Sequence, residues 1–310
     1  MLNNVPHISF VSPVYMADTM LDKLYEEIES VMTMIDKSFE VILVDDRSPD
    51  YSWDKMLLLA EKKKNVKAIR LSRNFGQHPS IIAGLSHAKG HWVVVLDCDL
   101  QDQPKEVVKL YKEAIKGYDG VMAKRTKRQD SFIKKMGSYI FSKIFSFFTN
   151  TDYDYEIANY GIYNRKVIDA ILSVSDYIKF LPLFVKFVGF NVTTIEVEHA
   201  YRNSGKSTYS LSKLMSLAFN TIISFSNKPL KLFVKFGLIT SIVSVLFGVY
   251  NIYLSISGQI EVSGYSSLIV SIWFLSGIII TTIGVTGIYI GKIFDQTKGR
   301  PVFIIDEIVE

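Results

Sequence analysis

Two apolar runs near the C-terminus constrain this chain more than any other feature. Residues 232–256 read LFVKFGLITSIVSVLFGVYNIYLSI, with one charge, Lys235, near the start; residues 268–290 read LIVSIWFLSGIIITTIGVTGIYI, with none. Each meets the roughly 20 apolar residues needed to cross a bilayer core. With 11 residues between them, 257–267, they predict a transmembrane hairpin. Lys228, Lys231 and Lys235 flank the first run, and Lys292, Lys298 and Arg300 follow the second. The connecting loop has no Lys or Arg and one acid, Glu261. The excess of basic residues on cytoplasmic flanks places both ends of the hairpin, and hence both termini and the large N-terminal part, in the cytoplasm. The expectation is a multi-pass protein of the inner (cytoplasmic) membrane.

The hairpin accounts for the positive mean hydropathy of +0.20. Over the whole chain, 48% hydrophobic content excludes a disordered chain, and a net charge of only +4 argues against a nucleic-acid partner. A single cysteine, Cys98, forbids an internal disulfide and cannot form a zinc site alone. The first ten residues lack a basic segment followed by an apolar run, so no secretory signal is expected.

Residues 1–200 alternate β-rich runs (8–14, 40–44, 66–71, 92–96 and 120–123) with segments of helical period (19–35, 53–63, 79–88 and 104–116). This alternation predicts an α/β domain with a mostly parallel, Rossmann-like sheet covered by helices on both faces. Ligands of such sheets bind at the carboxyl ends of the strands. Two of those ends are acidic: Asp45-Asp46-Arg47-Ser48-Pro49-Asp50 and Asp97-Cys98-Asp99-Leu100-Gln101-Asp102. Asp97 and Asp99, two apart on an extended segment, lie on one side of it. Two carboxylates so placed repel unless a cation joins them, and oxygen-only ligands favour Mg²⁺ or Mn²⁺. A strand end with solvated aspartates and a helix cap is the plainer reading of that segment taken alone. No G-x-G-x-x-G follows the first strand, so the dinucleotide fingerprint is missing. Gly205-Lys206-Ser207-Thr208 imitates the end of a P-loop, but Ala200 stands where its first glycine belongs.

In order and spacing, several segments resemble inverting glycosyltransferases of family 2 with the GT-A fold. The likeness is to the polyprenyl-phosphate glycosyltransferases, including dolichyl-phosphate mannose synthase and bacterial O-antigen glucosylation enzymes. They are Ser12-Pro13-Val14-Tyr15, the two acidic loops, Ser72-Arg73-Asn74-Phe75-Gly76-Gln77, Phe225-Ser226-Asn227-Lys228-Pro229-Leu230, and Tyr289-Ile290-Gly291-Lys292-Ile293-Phe294 with Lys298-Gly299-Arg300-Pro301. The resemblance implies a catalytic domain over 1–200, interfacial amphipathic helices over 201–231, two transmembrane helices over 232–291 and a cytoplasmic tail over 292–310. It implies that Pro13, Tyr15, Asp45, Asp46 and Asp97 line the nucleotide, with Asp46 at a uracil ring. Asp97, Asp99 and Gln101 would hold Mg²⁺ or Mn²⁺; Arg125, Lys135 and Ser138 would grip a lipid phosphate, and Arg202 would lie in a phosphate-binding loop. The implied partners are a nucleotide-sugar donor (UDP favoured), a polyprenyl phosphate, the membrane, and further copies of the chain, related enzymes being tetrameric.

The chain departs from the family pattern in three places. Ala158-Asn159-Tyr160-Gly161-Ile162 replaces a common Gly-Asp-Phe-Arg-Leu, so Asn159 stands where an acid is expected. Lys206 is displaced two places relative to the family's Gly-Glu-Ser-Lys, and Gln77-His78 replaces a common Lys-Glu. The first departure bears on the acceptor. A sugar hydroxyl needs a base, whereas a phosphomonoester, with a second pKa near 6, is already anionic at neutral pH. Asn159 therefore counts more against a hydroxyl acceptor than against a phosphate. Lys124 to Lys143 carries seven basic residues and one acid, and Arg202 to Lys235 six and none, both interleaved with apolar side chains. Such a mixture suits helices lying on an anionic bilayer. The reading is a metal-dependent inverting transferase moving a sugar from a UDP donor to undecaprenyl or another polyprenyl phosphate. A transferase acting on a hydroxyl of a glycolipid or polysaccharide, or a non-catalytic nucleotide-sugar-binding membrane partner, remains the alternative.

Overall fold

A computed structural model describes residues 5–125, 142–143, 145–148, 157–174, 176, 180–198, 222–223, 226–257 and 264–310. They fall into two compact units, one holding the N-terminal part with residues 301–310, the other the two long C-terminal helices.

In the first unit, β1 (Ile8–Val14), α1 (Leu21–Ile35), β2 (Phe39–Asp45), α2 (Ser52–Lys62), β3 (Val66–Leu71), α3 (Gln77–His87) and β4 (Trp92–Val95) alternate as expected. A 3₁₀ turn (Pro104–Glu106) leads into α4 (Val107–Ala114), followed by β5 (Gly120–Arg125), β6 (Ile157–Asn164), α5 (Arg165–Ser173), α6 (Leu181–Phe187) and β7 (Val192–Val197). The strands form an eight-stranded sheet in the order β7-β5-β6-β4-β1-β2-β3-β8, where β8 is Ile305–Val309. Pairs β1–β2, β1–β4, β2–β3 and β5–β7 are parallel; β6 and β8 run antiparallel to their neighbours.

Every residue of β1 is buried, as a central strand covered on both faces requires. Helix α1 buries Leu21, Leu24, Tyr25, Ile28, Val31 and Met32, one stripe at helical spacing. Each such side chain contributes about 1.5–3 kcal/mol by leaving water. Helix α3 packs closely over β1 and β2 because of Gly84: a Cβ there would sit 2.3 Å from Val11 Cγ1 and 3.1 Å from Val44 Cγ2. That close approach determines where the N-terminus of α3 meets the strand ends.

The second unit contains α7 (Lys228–Ile256, 29 residues) and α8 (Tyr265–Thr297, 33 residues). At 1.5 Å per residue they span about 43 and 50 Å, enough for the ~30 Å hydrocarbon core of a bilayer. Lys228–Tyr250 and Ser271–Thr297 are long and apolar enough to cross a membrane, and among the described residues nothing buries their most apolar stretches. Phe247, Trp273 and Ile280 all point outward. Helix α8 continues past the expected end of the second span. Apolarity fades after Ile290, but Lys292 to Gln296 are compatible with a helix, which stops only near Gly299, at φ 59°, ahead of Pro301.

The residues read from sequence as a tail end in a strand. β8 pairs with β3 (Ala68 with Val309, Arg70 with Glu307), and Ser72 N–H donates to Ile304 O at 2.9 Å. Lys67, almost wholly buried, meets Glu310 at 2.6 Å, and Arg47 meets Asp306 at 2.6 Å. Most of the expected interfacial segment 201–231 lies outside the described residues.

Candidate active site

Strands β1, β2, β3 and β4 are mutually parallel, so their carboxyl ends share one edge of the sheet. β6 is antiparallel to both β4 and β5, which makes β5 parallel to β4. Arg125, the last residue of β5, therefore reaches the same edge, as do the first residues of β6. Val95, the last residue of β4, pairs with Gly161, so Asp97 and Asn159 both lie beyond that pair toward the same edge. Topology thus brings Tyr15, the loop 45–50, Asp97, Asp99, Arg125 and Asn159 to one rim. For Arg125 only the backbone is described, and Lys135, Ser138 and Arg202 lie outside the described residues.

The loop after β2 is acidic but closed. Asp45 is fully buried. Its Oδ1 accepts from Ser48 N–H at 2.9 Å, and Oδ2 lies 3.4 Å from Arg70, its cross-strand neighbour. Burial pushes its carboxyl above the usual range, opposed by the bonds from Ser48 and by Arg70. Asp46, 4% exposed, spends both oxygens on the loop before α3: Phe75 N–H donates to Oδ1 at 2.7 Å and Gly76 N–H to Oδ2 at 2.8 Å. Burial raises Asp46 as well, while those two amides pull it back. Gly76 adopts φ 102°, a conformation side chains rarely tolerate, and so lets the chain turn into α3. Pro13 is buried within β1. Of the five residues expected to line a nucleotide, Pro13, Asp45 and Asp46 are buried, whereas Tyr15 and Asp97 are not.

The loop after β4 is acidic and open. Asp97, Asp99 and Gln101 are half-buried, and Asp99 Oδ1 accepts from Gln101 N–H at 3.1 Å. A cavity of about 710 Å³ opens between α1 and residues 99–105, with Asp99 in its wall. Cys98 between them is buried, its thiol pushed up to about 12 by burial and both aspartates. The open donors are oxygens only, which suits Mg²⁺ or Mn²⁺. Among the described residues no three His, Cys, Asp or Glu side chains cluster as a metal cage. A hard cation held by one or two carboxylates and completed by substrate phosphates needs no such cage, so the residues present fit.

Two features of this rim went unread in the sequence. Gln77 Nε2 donates to Asp97 Oδ1 at 2.6 Å, joining α3 to the open loop. Met16, Arg47 and Leu100 adopt φ of 54°, 56° and 58°, so all three site loops hold a non-glycine residue in the left-handed region. Strain of this kind collects at functional sites. Neither has a local sequence signal, since both depend on which loops the sheet brings together.

A model of glycosyl transferase family 2 matches residues 9–172. An uncharacterised glycosyltransferase of Bacillus subtilis (strain 168), YkcC, is 34% identical over 300 residues, covering 96% of this chain and 93% of its own. The undecaprenyl-phosphate 4-deoxy-4-formamido-L-arabinose transferase of Serratia proteamaculans (strain 568) is 33% identical over 312 residues, covering 98% and 94%. Among solved structures, the glucosyl-3-phosphoglycerate synthase of Mycobacterium tuberculosis, in complex with Mn²⁺, UDP-glucose and phosphoglyceric acid, superposes with a TM-score of 0.52. It is 14% identical, covers 71% of this chain and 78% of its own, and shares the fold.

Proposed function

The chain belongs to glycosyltransferase family 2, and from that premise we propose that it transfers a sugar from a UDP donor to polyprenyl phosphate, with inversion, at a membrane surface. One observation carries the acceptor: the Serratia relative, named for undecaprenyl phosphate, aligns over 98% of this chain, the two long apolar helices included. UDP follows from the family resemblance.

In this reading the lipid phosphate oxygen attacks the anomeric carbon as the bond from that carbon to the diphosphate oxygen breaks. The phosphate arrives ionised, so Asn159 at the same edge of the sheet is no obstacle, because no proton has to be removed. Asp97, Asp99 and Gln101 would hold a divalent cation, whose charge stabilises the departing diphosphate. Tyr15, about half exposed, borders the donor, and Asp46 holds the loop before α3 against it. Arg125 at the end of β5, with Lys135, Ser138 and Arg202, would receive the lipid phosphate. Holding two anions in line is most of the catalytic task when the nucleophile needs no base.

Sidedness belongs to the same proposal. Supporting it, β8 follows the hairpin yet pairs with β3, which precedes it, so an even number of crossings separates them. The basic flanks put that side in the cytoplasm.

The test is UDP release by the full chain in detergent, with Mn²⁺ or Mg²⁺, undecaprenyl phosphate and a panel of UDP-sugars. Release that needs the lipid, uses one donor and is lost in Asp99→Ala would establish class and sugar together. Binding of UDP with no release for any donor would point to another acceptor or to a non-catalytic partner.

A further inference from the structure

We propose that the C-terminal strand β8 is a positioning element of the donor site: Asp306 and the backbone of Ile304 anchor the two loops that border the nucleotide. This rests on the reading of those loops as the donor site given above.

β8 runs antiparallel to β3, so its first residues lie at the carboxyl end of β3 and its last at the opposite edge of the sheet. The two ends meet different things. At the far end Val309 pairs with Ala68, and Glu310 meets the almost wholly buried Lys67 at 2.6 Å. At the rim Ile305 pairs with Leu71, the last residue of β3. Contact runs one bond further there, because Ser72 N–H donates to Ile304 O at 2.9 Å. Ser72 opens the loop that leads to α3. From the same end of β8, Asp306 reaches the loop after β2, its Oδ2 accepting from Arg47 Nη1 at 2.6 Å.

Both anchors act on chain that the donor would meet. Arg47 follows Asp46 and holds φ 56°, a conformation that a side chain makes unfavourable and that persists only where the surroundings fix it. The charge-assisted bond to Asp306 fixes the end of that side chain. Asp46 joins the two loops to each other through the N–H groups of Phe75 and Gly76. β8 then ties the joined pair to the edge of the sheet. Loops already in place leave less chain to order when a nucleotide binds, which tightens binding without any new contact to it. The Arg47–Asp306 pair is too exposed, at 43% and 47%, to hold the fold together. Its effect is on where the loop sits, not on whether the chain folds.

The test compares the two ends of β8 in the full chain in detergent. UDP affinity is measured by calorimetry with Mn²⁺ present, and amide hydrogen exchange is followed over residues 46–48 and 72–76 without ligand. Asp306→Ala removes the side-chain anchor; Asp306→Pro also breaks regular pairing at the rim; Glu310→Ala breaks only the far-end ion pair. Asp306→Pro weakens UDP by about 10-fold, the order expected when about one residue of loop must be ordered on binding. Asp306→Ala weakens it in the same direction by less, with its thermal midpoint nearly unmoved. Both Asp306 variants exchange faster over the two loops. Glu310→Ala changes neither UDP affinity nor exchange there, which a strand that merely completes the sheet would not produce. Unchanged affinity and exchange in Asp306→Ala overturn the inference, as does an equal loss of UDP affinity in Glu310→Ala. If the unaltered chain binds no UDP, the donor reading fails instead, while the exchange rates still report whether β8 anchors the loops.

Discussion

The two acidic loops have nearly the same sequence character and opposite physical states. After β2, Asp45 and Asp46 are buried and committed to Ser48, Arg70, Phe75 and Gly76. After β4, Asp97 and Asp99 are half-buried; Gln77 donates to Asp97, and Asp99 stands in the wall of a cavity. The difference teaches that a carboxylate at a strand end can serve either as a brace or as a ligand. What decides is whether backbone N–H groups or solvent face it. A carboxylate meeting two amides rigidifies a loop, while one in a cavity wall, as Asp99 is, can still meet a cation.

Substituting one acid in each loop is the sharpest way to break that contrast. Asp99→Ala should abolish turnover, by at least about 100-fold as for loss of a transition-state electrostatic group, while leaving the thermal midpoint nearly unchanged. Asp46→Ala should do the reverse in kind: it strips the partner from two amides in a part-buried loop and costs about 1–3 kcal/mol of stability, read by denaturant or thermal unfolding. Equal midpoints for the two variants would erase the distinction between brace and ligand.

A pH experiment sharpens it at the helix that joins the loops. The His78 ring lies 4.9 Å from that of Phe180, centroid to centroid, and its buried Nδ1 has no hydrogen-bond partner among the described residues. Burial lowers its pKa from 6.5 to about 4. The unfolded chain therefore takes up this proton first, and the stability from the neutral ring is complete above pH 6.5 and is lost as pH falls toward 4. The slope for one proton is at most about 1.4 kcal/mol per pH unit. Unfolding measured between pH 4 and 7 should show a shallower acid limb in His78→Leu than in the unaltered chain.

The smallest effect belongs to the ion pair between Arg47 and Asp306, whose side chains are 43% and 47% exposed. Asp306→Ala should change stability by no more than about 1 kcal/mol, as for other solvent-screened pairs. A loss several times larger would show that β8 braces the closed loop far more strongly than its exposure suggests.

How much of this was legible beforehand varies along the chain. Strands β1 and β3 match their expected limits, 8–14 and 66–71, because buried β-rich runs bounded by polar turns leave little choice. β6 and β7 were not read: β6 opens with Ile-Ala-Asn-Tyr-Gly, which has no clear period, and β7 alternates only weakly in burial. β8 hides two acids within five residues and is a strand only because the edge of β3 accepts it. In the site, the acidic pairs were visible as residue types, whereas the burial of Asp45, the commitment of Asp46 and the reach of Gln77 to Asp97 were not.

The sequence by itself determined the α/β alternation, the acidic strand ends and the two apolar helices. Each follows from local period and composition acting within one segment. Only the tertiary structure decided which aspartates are braces and which are open, and that the last residues of the chain complete the sheet. These depend on contacts between segments 20 to 260 residues apart, from Gln77 with Asp97 to Arg47 with Asp306. Burial and hydrogen bonding are properties of such meetings, and no single segment carries them.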